Sequence, residues 1–155
     1  RLAVIRELEH QSGAQVLDAL VNQALVEKKA AEKGIMVTDD EIELALVDIS
    51  ANLSSQNITL EDALKAENLT IETVRKNIRF RKLAEKLLGD QLVISDEEIQ
   101  AYMEQNKDSL PQDSSPEELK NLVKNALRDQ KFSSTFSSWL AAAKAGTNIS
   151  YWKAY

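Results

Sequence analysis

Two acidic runs, Asp39-Asp40-Glu41 and Asp96-Glu97-Glu98, have the residue types to hold a cation or to act as paired catalytic carboxylates. Either use requires more than acids. A calcium loop needs a central glycine, which neither run contains, and no histidine accompanies them. Both runs instead follow a hydroxyl residue, Thr38 or Ser95, with a glutamate three positions on. That is the pattern of a capping box, in which acids in a first turn also complement the helix dipole. The single histidine, His10, would have to carry any Ser/His/Asp triad from near a chain end, without the glycines of a nucleophile elbow. The absence of cysteine excludes thiol catalysis, disulfides and thiolate metal sites. Four glycines, scattered singly, build no phosphate-cradling loop. The residues therefore predict no catalytic site, no metal site and no cofactor.

The elements around these residues read as helices. With four glycines and two prolines among 155 residues, and abundant Ala, Leu, Glu, Lys and Gln, the propensities favour helix throughout. A short helix is expected over 2–9, ended by Gln11, Ser12 and Gly13. A core helix follows from Ala14 to Lys33, carrying Val16, Leu17, Leu20, Val21, Ala24, Leu25 and Ala31, with Gly34 as its left-handed cap. Thr38 opens a helix over 39–52 with Ile42, Leu44, Ala45, Leu46 and Ile49 as its apolar face, and Thr59 and Thr70 open helices over 60–67 and 71–88. Gly89 ends the last of these. Ser95 opens a helix over 96–105, and Pro116, behind Ser115, opens a long one to Ala145. Residues 106–115 hold both prolines and have a linker's composition. The tail 149–152 has the composition of a short strand. The fold class expected is all-α: an irregular multi-helix domain with two long helices and at most a short C-terminal strand, in a single domain over 1–155.

The apolar face of each long helix rotates midway, at about 100° per residue. Ile71, Val74 and Ile78 share one face, whereas Phe80, Leu83 and Leu87 share nearly the opposite one. Likewise Leu119, Leu122, Val123 and Ala126 point one way, and Phe132, Phe136, Trp139 and Ala143 well over a quarter turn away. Each helix should meet two environments. Six of the eight aromatics, Phe132, Phe136, Trp139, Tyr151, Trp152 and Tyr155, fall in the last 24 residues. They read either as core or as a peptide-receiving surface, to which Phe80, Leu87, Tyr102 and Met103 are the further candidates. The basic residues Arg75, Lys76, Arg79, Arg81, Lys82 and Lys86 read as a solvated face paired with neighbouring acids, or else as a surface for an anionic partner.

A net charge of -6 disfavours nucleic acid as a partner, since phosphate binding needs an electropositive face. No apolar run approaches the roughly 20 residues of a membrane span. The chain opens at Arg1 inside an already periodic pattern, as a processed start does, and this is compatible with a signal peptide or lipid anchor ahead of it.

The stretch from Val16 to Val26, continued through Lys28-Lys29-Ala30-Ala31-Glu32-Lys33-Gly34-Ile35-Met36-Val37-Thr38-Asp39-Asp40-Glu41-Ile42, resembles the N-terminal chaperone domain of SurA-type and PrsA-type folding factors. The resemblance continues through Leu60 to Leu88 and Val93 to Tyr102, and again in Leu119 to Tyr151, as the domain's last helix and closing strand. In that family a parvulin-type prolyl isomerase domain is commonly inserted after the helix here ending near Gln105. This chain has only 106–115 there, so isomerase activity is not carried over. The family's opening strand is also missing, so a strand at 149–152 is expected to be either unpaired or satisfied elsewhere. The resemblance implies an ATP-independent chaperone that holds unfolded or nascent polypeptides in the bacterial periplasm or cell envelope. Two alternatives stand beside it: an isomerase-stripped fragment of a prolyl isomerase, and a helical scaffold for one fixed partner.

Overall fold

A computed structural model describes residues 2–111 and 115–147. The fold is all-α. Its α-helices are α1 (Leu2–Glu32), α2 (Asp39–Ser55), α3 (Leu60–Ala66), α4 (Ile71–Leu88), α5 (Asp96–Gln105) and α6 (Pro116–Ala145), with 3-10 turns at Gly89–Leu92 and Lys107–Ser109. The strand expected at 149–152 lies outside the described residues.

Local chemistry sets most of the boundaries. Thr38, Ser95 and Ser115 each close a full capping box: the side-chain oxygen accepts from the amide of the third helical residue, whose glutamate accepts from the cap amide. Thr59 and Thr70 accept from the amides of Asp62 and Thr73 at 3.1 and 3.2 Å. Gly34 and Gly89 lie at φ +66° and +47°, where a side chain would be strained, and each follows the end of a long helix.

The expected break at Gln11-Ser12-Gly13 does not occur: α1 runs unbroken through it. A glycine inside a helix costs only about 1 kcal/mol relative to alanine, and Gln and Ser are ordinary helix residues, so the flanking turns carry the helix across. Nor is α1 a core helix along its length. Leu25, Val26 and Ala30 are buried near its C-terminal end, whereas Val16, Leu20, Ala24 and Ala31 are exposed.

Chain contacts divide the molecule into two units, one covering described residues up to Leu87 and the other those from Leu88. In the first, Ile42 and Leu46 of α2 meet Ile78 of α4, with Val37, Ala45, Ile49, Ile71 and Val74 packed around them. Arg75, Arg79 and Lys86 of α4 pair with Glu43, Asp39 and Glu41 of α2. Asp39 and Glu41 of the first run thus serve as ion-pair and helix-cap groups, and these three bases belong to a face paired with neighbouring acids. In the second unit α6 packs against α5 and the turn Gly89–Leu92. Leu88, Leu92, Ile99 and Val123 are its buried apolar residues. Lys120 pairs with Asp96 at 2.8 Å, and Lys131 with Glu98 at 3.0 Å. Leu122 and Ala126, expected on the buried face of α6, are exposed, because α5 spans only ten residues and covers one narrow stripe of a thirty-residue helix.

Candidate functional site

On α6 the aromatic residues stand at spacings of four and three, which places them on adjacent turns of one stripe. Phe132 and Phe136 stack with ring centroids 5.3 Å apart and planes 5° apart; Phe136 and Trp139 follow at 5.8 Å and 17°. All three are half-buried. Beside the stripe, Ser133, Ser134, Ser137 and Ser138 are exposed, and the hydroxyls of Ser134 and Ser138 donate back to carbonyls one turn earlier in the same helix.

The other candidates are placed elsewhere. Tyr102 and Met103 are half-buried on α5, and Met103 lines a groove of about 370 Å³ with Glu104, Lys107, Leu110, Pro111 and Leu119. Leu119 precedes Phe132 by thirteen residues of α6, roughly 20 Å along the axis, so this groove and the aromatic stack are separate features. Part of the expected linker, the turn Lys107–Ser109 with Leu110 and Pro111, forms the groove's wall. Phe80 is half-buried on α4. Leu87 requires a correction: at 6% exposure it is a packing residue, because the end of α4 buries Leu83, Ala84, Leu87 and Leu88 together.

Sequence reasoning missed a second set of apolar side chains. Met36 is 76% exposed, Leu44 66% and Val47 63%, with Val16, Leu20, Val93 and Leu122 also more than half exposed. Leu44 and Val47 form an i,i+3 pair on α2, and Val16 and Leu20 an i,i+4 pair on α1. The signal was available for Leu44, which stands off the wheel position of Ile42, Leu46 and Ile49. Met36 also lines a mainly apolar groove of about 350 Å³ with Glu27, Ala30, Ala31, Gly34, Ile35 and Leu83.

Glu41, Glu98 and Asp96 are held ionised. Hydrogen bonding from the Lys86 ammonium, then from the Thr38 amide, lowers the Glu41 carboxyl below the ordinary glutamate range. The Ser95 amide, then Lys131, does the same for Glu98, and Lys120 lowers Asp96. A carboxylate held down in this way neither donates a proton nor accepts one near neutral pH, which suits it to structure rather than acid/base catalysis.

Capped helices around a small aliphatic core, with apolar side chains left outside, define an all-α domain. Residues 6–88 match the SurA-like N-terminal domain, and the chain belongs to that family. It is a family of chaperone-like helical domains. No curated protein and no solved structure matches the chain. The matched stretch covers α2, α3, α4 and most of α1; the aromatic stack on α6 lies beyond it. Among the described residues no helix is long and apolar enough to cross a membrane.

Proposed function

We propose that this chain holds unfolded or nascent polypeptides, without nucleotide, on apolar side chains that its helices leave outside their own cores. The observation that carries the reading is the exposure of neighbouring large apolar side chains on helix faces within the family's matched residues, Val16 with Leu20 and Leu44 with Val47. Single exposed leucines are ordinary on a protein surface, but neighbouring ones on a helix face offer contiguous area to a partner. The aromatic stack Phe132, Phe136 and Trp139 adds a second surface of the same chemistry, with Tyr102, Met103 and Phe80 as further contacts. Family membership supports the bacterial periplasm or cell envelope as the compartment, and a cysteine-free composition is compatible with an oxidising one.

The test is light scattering from a chemically unfolded protein diluted into buffer without ATP. Added in several-fold molar excess, the chain should suppress aggregation. A Leu44→Ser, Val47→Ser double variant should suppress it less while unfolding at the same denaturant concentration. Unchanged aggregation with the unaltered chain rejects the proposal, and tight binding to one partner with no effect on unfolded proteins would indicate a scaffold.

A further inference from the structure

The segments that lead into α2 and α5 are one arrangement built twice. Met36-Val37-Thr38-Asp39-Asp40-Glu41-Ile42 and Val93-Ile94-Ser95-Asp96-Glu97-Glu98-Ile99 match position by position in residue type. In each, the cap amide donates to the glutamate, at 2.9 Å for Thr38 and 2.8 Å for Ser95, and the closing isoleucine is 2% exposed. The aspartate after each cap pairs at 2.8 Å with a base on another helix of its own unit, Arg79 of α4 or Lys120 of α6.

The correspondence extends to a lysine nearer the C-terminal end of α4 and of α6. Lys86 Nζ donates to the Glu41 carboxylate at 2.8 Å and to the backbone carbonyl of Met36 at 2.8 Å. Lys131 Nζ donates to the Glu98 carboxylate at 3.0 Å and to the backbone carbonyl of Val93 at 2.8 Å. Both carbonyls stand two residues before the cap, outside the helix, where no helical amide reaches them. Met36 and Val93 are also among the most exposed large apolar side chains.

We propose that Lys86 and Lys131 are equivalent positioning residues, each a latch tying the extended segment ahead of one helix, α2 or α5, to another helix of its unit, α4 or α6. The carbonyl bond is the part that matters. An exposed ion pair alone holds little, since water and salt screen it. The glutamate in each latch is already fixed by the cap amide, so the ammonium meets a preset acceptor and can bond a carbonyl beside it with the added strength of a charged donor. Each latch therefore sets the backbone of a residue whose apolar side chain faces outward.

Amide hydrogen exchange on the full chain tests this. Lys86→Met keeps the apolar stem and removes the ammonium. It should speed exchange at Thr38 and Glu41 by at least about threefold, as local opening does, and leave Ser95 and Glu98 unchanged. Lys131→Met should do the reverse. Lys→Arg, which retains a charged donor, should restore much of the protection. Glu41→Gln, which keeps the capping box and the carbonyl bond but loses the ion pair, should have the smaller effect. Unchanged exchange in both methionine variants overturns the proposal. So does acceleration spread evenly over a whole unit with a lower unfolding midpoint, which would make the lysine a contributor to global stability. An effect of Glu41→Gln equal to that of Lys86→Met would assign the role to the ion pair and overturn it as well.

Discussion

The helices α2 and α5 begin in the same way, and their units then differ in what they bury. After its cap, α2 continues for seventeen residues and lays Ile42, Ala45, Leu46 and Ile49 along α4, where Ile71, Val74 and Ile78 receive them. After an equivalent cap, α5 stops at ten residues, and α6, thirty residues long, fully buries only Val123 while its aromatic stripe stays half-buried. The same capping chemistry thus opens a helix that shares an aliphatic cluster with α4 in one unit, and a helix that packs with the turn Gly89–Leu92 against α6 in the other. Capping fixes where a helix starts, and the length of its neighbour fixes how much of it is covered.

Core truncation should break this comparison most visibly. Ile42→Ala and Ile99→Ala should each cost about 3 kcal/mol, since both isoleucines are 2% exposed. Denaturant unfolding of both variants measures this, and no loss for one of them would take that isoleucine out of its unit's core. Phe136→Ala should cost less, about 1 to 2 kcal/mol, because its ring is half-buried and stacks on two neighbours along its own helix. The same variant should protect unfolded proteins less well in the scattering assay. A loss of about 3 kcal/mol or more, typical of a core truncation, with protection intact would place the stack in a core.

Removing the cap hydroxyls sharpens what the units share. Thr38→Ala and Ser95→Ala should each cost about 1 kcal/mol, and nearly equally, since both accept from the amide of a helix's third residue, at 3.3 and 3.2 Å. No shift in denaturant midpoint for either would mean that the caps do not set the helix starts. The smallest effect is on pH dependence. Glu41, Glu98, Asp96 and Glu118 all have lowered folded-state values, so below the ordinary carboxylate range of about 4 the unfolded chain binds more protons than the folded one. Their stabilisation is present above about pH 5 and is lost as the pH falls through the folded values. Urea midpoints measured from neutral pH downward should decline there, and less steeply in a Lys86→Met, Lys131→Met double variant. Identical slopes would show that the lysines do not contribute to the lowering.

Helix starts are decided by neighbours in sequence. Thr38, Thr59, Thr70, Ser95 and Pro116 mark them because a cap is satisfied within four residues, and α4, α5 and α6 have the bounds that their caps and glycines predict. The repeat of Thr38 to Ile42 at Ser95 to Ile99 is legible in the letters; that a lysine forty-five residues beyond Glu41, and another thirty-three beyond Glu98, complete the two arrangements is not. The break expected at Gly13 fails because a helix break depends on whether the flanking turns outweigh about 1 kcal/mol, which one residue cannot reveal. Leu87 and Leu44 carry the same lesson in opposite senses: the first, a surface candidate by its wheel position, is core, and the second, grouped with an apolar face, is surface. Periodicity states which residues share a helix face. Which face is covered, and over what length, depends on contacts between segments far apart in sequence, and only the tertiary structure decides that.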